Sequence, residues 1–186
     1  KIRVRENELI QLSEKAIGSN NSYCSKIALD YRNFVDECQK DYLLNSYIQY
    51  GDDVSTQKPL ADVAMTPERR VSELYSCVKN MELVAEQRKY ICLFLTATCP
   101  ASFHANPKFG KNTWDGSTPR QASDYLSKKL DELSKARNRY ELNDFGLWTK
   151  ELHKDQCPHL HALLFVCPTK VDDLILHINR IFKHSE

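Results

Sequence analysis

The chain has 186 residues and a formal net charge of +1, from 26 basic and 25 acidic side chains. That length suits one domain with its own core, or one domain plus a helical extension, and so even a balance excludes a protein that holds nucleic acid by bulk charge, though not one with a local basic groove. No run approaches the roughly 18 consecutive apolar residues of a membrane span, and no apolar run follows Lys1, Arg3 and Arg5, so neither a span nor a secretory signal is read.

The first ninety residues read as helical. Ile27, Tyr31, Phe34, Val35 and Cys38 recur at helical spacing, with Tyr42 and Leu43 continuing the stripe. A second helix opens at Thr66-Pro67-Glu68, an N-cap followed by a first-turn proline and an acid, and carries Val71, Leu74, Tyr75, Val78, Met81 and Ala85 on one side. Between them, residues 50–64, with Gly51, Asp52, Asp53 and Pro59, read as a loop.

At Tyr90 the pattern changes. Residues 90–98 are a continuous apolar run ending at Cys99-Pro100, which predicts a central strand. A polar loop over 102–117 follows, and Thr118-Pro119-Arg120 repeats the cap-plus-proline start. The helix it opens turns Ala122, Tyr125, Leu126, Leu133 and Ala136 inward, with Lys128, Lys129, Lys135, Arg137 and Arg139 mostly outward. Residues 145–153 and 158–166 read as two strands joined by a short turn, and Thr169 as the cap of a last helix bearing Val171, Leu174, Ile178 and Ile181. The order β-α-β-β-α predicts an α+β fold: an antiparallel sheet with helices packed on it, over residues 89–186, preceded by a helical N-terminal region over 1–88.

Chemistry concentrates in one place. His159 and His161, two apart on a strand, project to the same face. If the preceding strand pairs antiparallel with theirs, every register in which paired residue numbers sum to an even value puts Glu151 on that face as well. Two imidazoles and a carboxylate with open positions suit a catalytic cation site; the competing reading is a pair of partly buried strand histidines. His153 falls on the same face, as a neighbour that orients the ligands or an alternative ligand. Thr96 and Thr98 share a strand face and offer hydroxyls to a DNA phosphate, or are ordinary β-branched strand residues. Lys108 and Lys111 can line a single-strand channel, and Trp114 is either a stacking platform or a loop anchor on the core. The seven cysteines (Cys24, Cys38, Cys77, Cys92, Cys99, Cys157, Cys167) never form a CxxC pair, which disfavours zinc fingers and disulfide frameworks; several sit at apolar positions of predicted helices or strands, which suits small buried side chains in a reducing cytosol.

His159-Leu160-His161 resembles the His-hydrophobic-His motif of the HUH endonucleases, and the chain more narrowly resembles the bacteriophage replication gene A proteins, which initiate rolling-circle replication. Three segments carry the likeness: Phe94-Leu95-Thr96-Ala97-Thr98-Cys99-Pro100 with Phe103-His104-Ala105; Thr118-Pro119-Arg120-Gln121-Ala122 with Tyr125-Leu126; and Glu151-Leu152-His153 with the run from Pro158 to Phe165. The resemblance implies a divalent ion, Mg²⁺ or Mn²⁺, held by His159, His161 and Glu151. It also implies nicking of single-stranded origin DNA by a tyrosine that is left as a 5′-phosphotyrosine, in a bacterial host cytoplasm, with host replication proteins as partners and no membrane. In that family the nucleophilic tyrosine follows the histidine pair on a helix. None lies between Ala162 and Glu186, so the catalytic tyrosine is expected downstream of Glu186. Tyr125-Leu126-Ser127-Lys128 imitates a Tyr-x-x-Lys motif, but Tyr125 falls on an apolar stripe. A non-cleaving DNA-binding initiator module of the same fold is the alternative.

Overall fold

The computed structural model describes residues 2–18, 23–52, 56–107 and 110–183. The fold is α+β. Helix α1 (Ile2–Ser13) and helix α2 (Lys26–Asn45) lead to a small hairpin of β1 (Tyr47–Gln49) and β2 (Gln57–Pro59), a short helix α3 (Leu60–Val63) and the long helix α4 (Pro67–Arg88). Strand β3 (Ile91–Ala97), helix α5 (Pro119–Tyr140), strands β4 (Asp144–Leu152) and β5 (Pro158–Val166), and helix α6 (Val171–Phe182) complete the order. Among the described residues no helix is long and apolar enough to cross a membrane.

Local chemistry explains where the long helices start. The Thr66 and Thr118 side chains accept from the backbone N–H groups of Arg69 and Gln121, and each is followed by a proline whose missing N–H costs the first turn nothing. Gln121 also reaches back to the Thr118 N–H at 2.8 Å, completing a capping box. Both helices end on a left-handed residue, Lys89 (φ 56°) and Glu141 (φ 47°), that turns the chain into the next strand.

Two expectations are corrected. Residues 50–64 are not all loop: β2 pairs antiparallel with β1, Tyr47 opposite Pro59, and α3 follows. Three-residue strands are too short to show a period of two. Thr169 does not cap α6. Pro168 fixes a 3-10 turn over Pro168–Lys170, so the Thr169 hydroxyl lies inside that turn, 3.2 Å from Cys167 Sγ, and α6 begins after Lys170 with no side-chain cap.

The main sheet has the order β3-β5-β4, antiparallel throughout, with β5 central. Its two faces differ. Leu160, Ala162, Leu164 and Val166 alternate onto the face covered by α5 and α6, where they join Ala122, Leu126, Leu133, Leu142 and Leu174 in the core. The opposite face is covered only at one end, by α4, whose Ala85 is its one buried residue among those described. The expected stripes of α2 and α4 are therefore real as periodicity but little used for packing: Ile27, Phe34, Tyr42, Val71 and Tyr75 are exposed, because a three-stranded sheet is too narrow to cover them. The uncovered end of this face carries Glu151, His159 and His161.

The N-terminal helix reaches this end from outside. Leu12 and Ile17 bury against Ala105, with Trp114 packed on them, and the Asn106 amide donates to the Leu12 and Ile17 carbonyls at 3.0 and 3.3 Å. Glu8 accepts from the Ser25 N–H and from Gln156 in the β4–β5 turn.

Candidate metal centre

Strand β5 starts at Pro158, where the missing N–H is tolerated because a strand's first residue is free of the full ladder. One residue on, His159 is buried, and His161 half-buried, on the uncovered face. The ladder sets Glu151 of β4 directly opposite His159 and Thr149 opposite His161. The paired numbers sum to an even value, the parity that puts all three side chains on one face.

The three side chains converge. His159 Nε2 and His161 Nε2 are 2.7 Å apart, and Glu151 Oε2 lies 3.2 Å from His161 Nε2 and 3.9 Å from His159 Nε2. Thr96, opposite His161 on β3, brings its hydroxyl oxygen 3.0 Å from His161 Nδ1. In the tautomer where Nδ1–H donates to Thr96, the Nε2 lone pair of His161 faces the other two donors. Phe94 lies flat on the same ring, centroids 5.6 Å apart at 18°.

A divalent cation fits this donor set. Two ligand atoms at right angles, each about 2.1 Å from an ion such as Mg²⁺, sit about 3 Å apart, and the three observed separations bracket that value. Two nitrogen lone pairs and a carboxylate oxygen brought this close repel one another unless a proton or a cation lies between them. Burial lowers the pKa of His159, and the neighbouring His153 and His161 add to the shift, so the ring is held in the neutral form that ligates a metal. The Glu151 side chain is 66% exposed, which leaves the outer side of the trio open to a further ligand.

The His153 ring lies beside that of His159, centroids 4.0 Å apart and tilted by 45°, and stands outside the trio. Thr98 lies one residue past the end of β3 and is exposed. Lys111 is exposed in the loop before α5, and Lys108 lies outside the described residues. Trp114 takes the anchor arrangement: its indole N–H donates to the Ser117 carbonyl at 3.0 Å and its ring packs on Leu12, Ile17 and Ala105. Cys157 is on the other face, buried with Cys99, whose thiol points at the Pro158 carbonyl at 3.5 Å. Tyr125 packs on Phe103 in that same buried cluster, 5.2 Å between centroids. Tyr140 stacks on His177 at 4.2 Å, and Tyr90 meets Phe145 in a tilted pair at 5.8 Å. Phe145 pairs with Phe165, four strand residues from His161, a distance of about 13 Å.

One pair escaped the sequence reading. His104 Nδ1 and Asp155 Oδ2 are 2.7 Å apart, and Asp155 Oδ1 also accepts the Cys157 N–H at 3.1 Å. A histidine after a strand and an aspartate in a hairpin turn, 51 positions apart, leave no local signal that they meet.

The sequence matches the family described as bacteriophage replication gene A protein over residues 1–184. A probable replication endonuclease from a prophage-like region of Shigella boydii serotype 4 (strain Sb227) is 35% identical over 118 residues, 62% of this chain and 15% of the relative. The replication protein of Haemophilus phage HP1 is 32% identical over 149 residues, 78% of this chain and 18% of that protein. The replication gene A protein of Escherichia phage 186 is 28% identical over 130 residues, 69% of this chain and 19% of that protein. The chain thus spans less than a fifth of these relatives' length. No solved structure matches it.

Proposed function

The chain belongs to the bacteriophage replication gene A protein family, and from that footing we propose that it is the metal-holding core of a rolling-circle initiator endonuclease that nicks single-stranded origin DNA. The observation that carries the proposal is the convergence of His159 Nε2, His161 Nε2 and Glu151 Oε2 at the open end of the sheet. These three residues hold Mg²⁺ or Mn²⁺. A bound ion of this kind polarises the scissile phosphate and fixes its orientation. Thr96 holds the His161 ring in its ligating tautomer, the buried flank of His159 keeps that ring neutral, and the exposed Glu151 edge admits the strand. Thr98 and Lys111 supply a hydroxyl and a cation for the DNA backbone.

In the reaction proposed, a tyrosine oxygen bonds to phosphorus while the bond from phosphorus to the 3′-oxygen breaks. The phosphate stays on the tyrosine as a 5′-phosphotyrosine, and the 3′-oxygen takes up a proton to become the hydroxyl a polymerase extends. Tyr125, Tyr140 and Tyr90 are engaged elsewhere in the fold, and none of these three is proposed as the nucleophile. Residues 89–186 form the catalytic core and 1–88 an N-terminal region that braces it. The setting is the bacterial host cytoplasm, and host replication proteins are the proposed partners.

Calorimetry with Mn²⁺ is the test. One site is expected, lost in the double substitution His159→Ala/His161→Ala and weakened less completely by Glu151→Gln, whose neutral oxygen still coordinates. Unchanged affinity in the double variant would sink the metal assignment. Binding should also favour a single strand over its duplex, because an unpaired phosphate reaches the trio.

A further inference from the structure

We propose that His104, held by the buried carboxylate of Asp155, is a cationic contact for a backbone phosphate flanking the one at the metal trio. The inference rests on the single-strand reading above and adds a subsite to it. The Asp155 side chain is 6% exposed and the His104 side chain 20%, so the carboxylate is sealed while the imidazole reaches solvent. The rings form a row. His104 stands edge-on to His153 at 5.9 Å, and His153 lies 4.0 Å from His159, so the His104 ring is within about 10 Å of a ligand ring.

The chemistry of the pair favours an anion. The bond to Asp155 occupies Nδ1, and the part of the ring that stays in reach of solvent is what meets a ligand. The groups facing His104 are Asp155, His153 and Cys99, and the Asp155 hydrogen bond, the largest influence, raises the His104 pKa from its ordinary value of 6.5. Fastening the loop after β3 to the β4–β5 turn would need only a neutral donor, and buried ion pairs are poor stabilisers compared with neutral packing. The nearby cation Lys150 is already tied to Ser123 and Ser127, at 2.6 to 2.9 Å, on the other face of the sheet.

The salt dependence of binding to a labelled oligothymidylate, read by fluorescence anisotropy at fixed Mn²⁺, tests this. Removing one phosphate contact from a single-strand complex makes the slope of log affinity against log salt shallower by about 0.7. His104→Asn, which keeps a donor toward Asp155 without the charge, should show that change, with affinity at low salt reduced roughly tenfold. His104→Gln is a second neutral variant, both checked for an unchanged unfolding temperature, and His104→Lys should restore the slope. Slopes equal to wild type in both neutral variants overturn the inference. So does an equal change in Lys128→Ala, on the outer face of α5, which would mark a general charge effect. Failure of the unaltered chain to bind the oligonucleotide would instead overturn the single-strand reading itself.

Discussion

His161 is held from three sides: Thr96 at Nδ1, Phe94 against the ring, and the His159 and Glu151 donors at Nε2. Partners that orient a metal-ligating histidine commonly matter about 10- to 100-fold in metal affinity. Thr96→Val keeps the β-branched shape and removes only the hydroxyl, so it should weaken Mn²⁺ binding about tenfold in calorimetry with little change in unfolding temperature. Affinity equal to wild type would show that ring packing alone sets the orientation of the His161 ring. At this scale the trio was legible, because strand parity follows from residue numbers: His159 and His161 are two apart, and Glu151 meets them in any even register. His104 and Asp155 were not, because no periodicity links a loop to a turn. Trp114 shows another limit, since a loop tryptophan reads as either stacking platform or anchor until its neighbour Leu12 is placed.

Registration of β4 against β5 decides whether Glu151 meets the histidines at all, and one residue polices it. A Cβ added at Gly146 would lie 2.0 Å from the Leu163 carbonyl oxygen and 2.9 Å from Leu164 Cα, so the two backbones pass too close there for any side chain. Gly146→Ala must push β4 away from β5 or slip it. The expected cost is at least about 2 kcal/mol in chemical denaturation, with Mn²⁺ affinity falling because Glu151 loses its place opposite His159. Wild-type stability and affinity together would mean the strands separate without disturbing the register. The strands and long helices were legible because their signals are local: an apolar run for β3, threonine-proline starts for α4 and α5. The β1–β2 hairpin carries no such signal. The start of α6 misled because Pro168 spends its neighbouring threonine on a 3-10 turn.

The whole molecule is tied together at the corner where α1 meets the loop after β3 and the β4–β5 turn. The helical character of residues 1–88 was readable, but not which part of it would touch the site-bearing end. The apolar stripes of α2 and α4 advertise packing that they barely make, whereas α1, with no clear stripe, buries Leu12 at 1% exposure, and the turn that follows it buries Ile17 at 3%. Those two side chains sit under Trp114, and Asn106 and Gln156 join the same segment to the core through hydrogen bonds. Leu12→Ala leaves a cavity at a contact the core itself uses, and a buried leucine truncated this way costs about 3 kcal/mol. The loss should appear as a lower midpoint of one cooperative transition. In a Trp148→Phe background Trp114 is the remaining tryptophan, since the chain has two, and its emission should move to the red as its packing loosens. A separate early transition, with the rest of the chain melting as before, would show that α1 rests on the core without bracing it, and the loop from His104 to Trp114 would then be positioned by the sheet alone.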